Sequence, residues 1–131
     1  MTAVGLYARL RNPTSHAAAD PLGAPAVRLG LALLDALPPV WNPEDGSIDV
    51  YYWYYGSLAC HAAGGATWEK WQAALIAALV PAQRTDGDSC STKGSFDPID
   101  PWGGDGGRVY MTAIAALCLE TADRDEPSLS K

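Results

Sequence analysis

Residues 50–63 read Val50-Tyr51-Tyr52-Trp53-Tyr54-Tyr55-Gly56-Ser57-Leu58-Ala59-Cys60-His61-Ala62-Ala63, and whether this stretch is strand or helix decides the fold. Its first six residues are β-branched or aromatic, the types that pack best on a pleated surface. The continuation from Ser57 carries no apolar-polar alternation, runs past ordinary strand length and stops at Gly64-Gly65, a helix-terminating pair. Helix is therefore expected from Asp49 to Ala63, and with it an all-α chain.

Working outward, Thr67 is placed to cap a helix whose Trp68, Trp71, Leu75, Ile76, Leu79 and Val80 follow the 3.6-residue period. A last helix is expected from Arg108 to about Ala122; it is almost wholly apolar from Val109 to Leu119 and should be covered on all sides. Toward the N-terminus, Ala26 to Leu37 lays Val27, Leu31 and Leu34 along one stripe and is stopped by Pro38-Pro39. Met1 to about Leu10 is apolar on most sides and ends before Pro13. Residues 1–122 thus form one helical domain, followed by a polar tail at 123–131.

The chain also repeats itself. Thr2-Ala3-Val4, Ser57-Leu58-Ala59 and Thr112-Ala113-Ile114 each join a small hydroxyl residue to two apolar ones, and successive copies are 55 residues apart. Two amphipathic helices alternate with these three apolar ones. That order describes three inner helices and two outer ones, the outer pair with one wet face each, as Glu69, Lys70 and Gln72 suggest.

Composition narrows the function. Of 131 residues, 48% are apolar and 18% charged, which suits a packed core. A net charge of -6 repels nucleic-acid backbones and anionic membranes, so neither is an expected partner. The apolar run from Val109 to Leu119 is too short to span a bilayer, and no signal peptide is expected, which leaves the cytoplasm as the default compartment. Cys60, Cys90 and Cys118 are an odd set without finger or ribbon spacing, so free thiols are expected.

Three blocks, Tyr51 to Ala59, Trp68-Glu69-Lys70-Trp71 and Gly106 to Ala113, resemble the α/α-toroid repeats of squalene and hopene cyclases and of protein prenyltransferase β subunits. Bacterial proteins with prenyltransferase and squalene-oxidase repeats are a further likeness. Gln83-Arg84-Thr85-Asp86-Gly87 is similar to the start of that family's glutamine-tryptophan repeat, although seven residues intervene before Ser95-Phe96, where phenylalanine replaces tryptophan. The resemblance implies a partial α/α toroid, here a C-terminal portion of one. It also implies bare flanks on the first and last inner helices, to be covered by a second copy or by a chain carrying the missing repeats.

No complete catalytic set accompanies this likeness. The cyclase acid motif is absent, since Asp123-Arg124-Asp125-Glu126 lies in the polar tail. No cofactor is expected, but zinc and calcium each have candidate ligands. Asp88, Cys90 and His61 are the residue types that prenyltransferases use for zinc, and Cys60-His61 is similar to the zinc pair of lanthionine cyclases without its following glycine. Asp86, Asp88, Thr92 and Asp97 partly follow calcium-loop spacing, but Ser91 stands where the turn glycine belongs. Ordinary uses compete with each: buried cysteine, satisfied histidine, and aspartates that cap turns.

Gly103-Gly104-Asp105-Gly106-Gly107 lacks a Walker lysine and reads as a tight entry into the last helix. Tyr51, Trp53, Tyr54, Tyr55 and Tyr110 could line a pocket for an apolar, isoprenoid-like molecule. The leading expectation is a non-catalytic helical-repeat module for interaction or assembly. A binder or enzyme fragment for such an apolar ligand comes second, and a metal-dependent transferase or cyclase third.

Overall fold

The computed structural model describes residues 2–12, 22–85 and 92–124, and these contain helices and no strand. The helices are α1 (Thr2–Arg11), α2 (Pro25–Ala36), α3 (Val50–Ala63), α4 (Gly65–Leu79) and α5 (Gly103–Ala122). Residues 50–63 are helical despite their aromatic opening. The Asp49 carboxylate accepts the Tyr52 amide at 2.9 Å and starts the helix on an otherwise unpaired donor.

Two glycines make the α3–α4 hairpin. Gly64 and Gly65 hold φ of 70° and 55°, a left-handed region that a side chain would resist, and the chain reverses there in a single-residue link. This corrects the expected cap at Thr67: α4 starts at Gly65, no side chain caps it, and Thr67 lies within its first turn. At the other end of the chain, Gly107 (φ 65°) breaks α5 into one turn, Gly103–Gly106, and a long segment from Arg108. Proline at the first position starts α2, since its fixed φ suits a helix and its missing N–H would have had no partner there.

α3 is the centre of the molecule. It packs between α1 and α5 in one layer and against α4 in the other; α4 also meets α5, and α2 lies against α1 and α4. The five helices of the described residues therefore form two layers, three over two. Trp53, Leu75, Leu79, Met111, Leu34 and Leu10 fill the space between and within them. Each such aliphatic side chain is worth about 1.5–3 kcal/mol on burial.

The contact between layers is closest at Gly56. The ring of Trp71 lies so near that a methyl group on Gly56 would stand 2.3 Å from it. The indole N–H of Trp71 donates to Ser57 Oγ at 2.9 Å, and the Ser57 hydroxyl donates to the Trp53 carbonyl at 2.7 Å. Buried polar groups are thus satisfied in a chain across the layers. Trp41, from the α2–α3 connection, packs on both Trp53 and Phe96 at ring separations of 6.2 and 6.0 Å, so phenylalanine at position 96 has a buried aromatic role.

The three spaced hydroxyl residues fall on α1, α3 and α5, but they are not equivalent. Ser57 is buried between layers, Thr112 accepts the Phe96 amide at 3.1 Å, and Thr2 is exposed at the first residue of its helix. Exposure also departs from expectation on three segments, beginning with the α4 stripe, where Ile76 and Val80 are 42% and 55% exposed. α5 is not covered on all sides: Val109 is 84% exposed, and Ala113, Ala116 and Leu117 continue the open flank. α2 carries leucines on the side expected to be wet. α1, by contrast, leaves out Thr2, Ala8 and Arg9, a flank without large apolar residues.

Candidate functional site

Tyr51 and Tyr55 stand one helical turn apart on α3, Tyr51 exposed and Tyr55 half-buried against the core, and their rings meet at 4.9 Å. Tyr54 touches Tyr55 edge-on at 5.3 Å. Opposite them, the first turn of α5 presents Trp102 and Asp105, and the Trp102 ring lies 6.3 Å from that of Tyr51. Tyr110 folds back over Gly106, where an added methyl would come within 2.8 Å of its ring. Tyr51, Trp102, Asp105, Gly106 and Tyr110 together line an open cleft of about 470 Å³.

The field around the cleft is negative. Burial pushes the Tyr110 hydroxyl up to about 12, and the nearby Asp100 and Asp49 carboxylates add to that shift. Asp100 is itself buried beside the α5 entry, where neither of its oxygens finds a partner in good hydrogen-bond geometry. Burial raises its pKa, Asp49 raises it further, and the amides of Gly103, Trp102 and Val50 act the other way.

Of the five aromatic residues read as a ligand surface, Tyr51 and Tyr110 line the cleft and Tyr55 supports Tyr51. Tyr54 is half-buried beside Tyr55. Trp53 points the other way, into the core against Trp41, and touches no open surface of this cleft. Trp102 and Asp105 were not among the five; a tryptophan directly before a glycine-rich turn was the available signal.

The metal candidates do not converge. Asp86, Asp88 and Cys90 lie outside the described residues. His61 is buried edge-on to Trp68 at 5.0 Å, and burial, with the charge of Arg124, lowers its pKa. Asp97 is clamped by two arginines: Arg108 Nη2 at 2.5 Å and Arg84 Nη1 at 3.2 Å, which hold its carboxyl below the usual range. Among the described residues no group of three or more His, Cys, Asp and Glu side chains could hold a metal ion.

The Arg84 and Arg108 clamp has a structural use. Arg84 also pairs its backbone with Ser95 and Gly94, and Arg108 donates to Ser95 Oγ and the Phe96 carbonyl, so the start of α5 is tied to both ends of the 85–94 segment. Cys60 and Cys118 are free, buried thiols, each pushed up to about 12 chiefly by burial, which suits packing more than reactivity. No helix among the described residues is long and apolar enough to cross a membrane.

No family model matches the sequence, and neither a curated protein nor a solved structure matches the chain.

Proposed function

We propose that this chain is a non-catalytic helical-repeat module that assembles with a second copy of itself through apolar helix faces left open by its own packing. The observation that carries this reading is the outward stripe of α2. Leu29, Leu33 and Leu37 are 69%, 52% and 63% exposed, although α2 already buries Val27, Gly30 and Leu34 on its other side. Ala26, Leu29, Leu33 and Ala36 follow three-four-three spacing, the seam that lets two helices interlock. Such a stripe serves a solitary helix badly in water and a partnered one well.

A second apolar surface lies beside α4. Pro39, Val40, Trp41, Ala77, Ala78 and Pro81 are among the residues lining a surface cavity of about 400 Å³ beside α4. The open flank of α5, headed by Val109, offers a further apolar strip. The two-over-three layering supports the reading as a module of stacked helical hairpins, the arrangement that the sequence resemblance implies.

Sedimentation velocity on the wild type and on Leu29→Lys/Leu33→Lys tests the reading. The wild type is expected to associate, more strongly in high salt because the net charge of -6 is then screened. The α2 variant should run as a monomer with an unchanged helical spectrum. Unaltered association in the variant would contradict the assignment to α2.

A further inference from the structure

We infer that the cleft between Tyr51, Trp102 and Tyr110 is a binding site for a quaternary ammonium group. This goes beyond the assembly reading and uses a different surface. Among the described residues, three aromatic rings, the Asp105 carboxylate and Gly106 line the cleft. A neutral hydrocarbon would use the ring faces but leave the carboxylate idle. A small hydrated anion would meet the negative edge of the field set by Asp100, Asp49 and Asp105.

A methylated ammonium satisfies both parts of the wall. Its charge is spread over apolar methyl groups, so it sheds water cheaply, sits against π faces within about 6 Å of ring centroids, and gains from a nearby carboxylate. Arg108, two residues before Tyr110, is turned onto Asp97 and so does not compete for the rings. A cleft of about 470 Å³ has room for a trimethylammonium head and a short chain.

The geometry also explains two glycines. Gly106 lets Tyr110 lie flat over the helix, since a methyl there would meet the Tyr110 Cγ at 2.6 Å. Gly107, at φ 65°, breaks the helix between Trp102 and Tyr110, which both line the cleft.

The test uses choline, its uncharged isostere 3,3-dimethyl-1-butanol, and the intact chain. Binding is read from the indole N–H resonance of Trp102, identified by its loss in Trp102→Phe. Choline should shift this resonance saturably in the ~millimolar range expected for an exposed cation–π site, with the isostere at least about tenfold weaker. Asp105→Asn should weaken choline by about threefold, as loss of an exposed charge partner would. Gly106→Ala should weaken it by displacing Tyr110, with circular dichroism confirming that each variant stays folded.

Phosphatidylcholine vesicles separate the two sources of the same chemistry. Co-sedimentation that free choline competes away would place the ammonium on a lipid headgroup; a choline shift without vesicle binding would make the ligand a soluble compound. Equal binding of the isostere would overturn the inference and favour a neutral apolar ligand. No shift with choline up to about 100 mM, far above the range for such sites, would overturn it as well.

Discussion

Replacing Gly56 with alanine sets two effects of opposite sign against each other. Glycine inside a helix is worse than alanine by about 0.5–1 kcal/mol, so propensity alone says that the variant gains stability. Packing says otherwise. The new methyl would sit 2.3 Å from one atom of the Trp71 ring and 2.6 Å from the next, and that ring is fixed by its bond to Ser57 and by edge-on contact with Tyr52 at 5.8 Å. Overpacking of a well-ordered core costs about 1–3 kcal/mol, so a net loss of roughly 1–2 kcal/mol is expected. Urea unfolding followed by tryptophan fluorescence measures it directly. Gly5→Ala is the paired control, because Gly5 lies within α1 and only a flexible Arg9 guanidinium comes near, at 3.4 Å. That variant should gain about 0.5–1 kcal/mol. A Gly56→Ala protein as stable as the wild type would refute the close α3–α4 contact on which the layering rests.

Ser57→Ala removes the acceptor of the Trp71 indole N–H and should cost about 1–3 kcal/mol in the same urea assay, since a buried donor is left without a partner. Asp97→Asn should lower stability at neutral pH by about 1 kcal/mol or less, because the carboxylate is 42% exposed and its two ion pairs are partly screened. The folded pKa of Asp97 is depressed, so this contribution is present above its unfolded value of 3.8 and is lost as pH falls through the folded one; the two proteins should converge in acid. Asp100 has the opposite sign. Its folded pKa is raised, so the charged form is a burden above that value, and Asp100→Asn should melt higher than the wild type at pH 7 and lose the advantage toward pH 3.8. A lower melting temperature for Asp100→Asn at pH 7 would show that the surrounding amides outweigh burial.

How far the fold could be read from the sequence differs by element. α3 was legible because seven residues without alternation follow the aromatic run, and a buried helix needs no polar face. α4 was legible from its period, but not its start, since consecutive left-handed glycines let a helix resume at once without a side-chain cap. α2 was legible as a helix and not as a surface. Leucines at positions 29, 31, 33 and 34 surround the axis, so local pattern cannot say which stripe the neighbours take. The cleft was half visible: Tyr51 and Tyr110 stood out as aromatics on inner helices, whereas Trp102 joined them only in the folded chain. The partners of Asp97 lie 13 residues before and 11 after it, a separation at which only the folded chain reveals an ion pair.

Assembly requires that the open faces of α2 and α5 have a partner. Light scattering across a concentration series of the intact chain tests this most directly. The mass should rise with concentration toward that of two or more copies, and return to the single-chain mass when Leu29 and Leu33 become lysine. A single-chain mass at every concentration, in low and high salt alike, would contradict assembly.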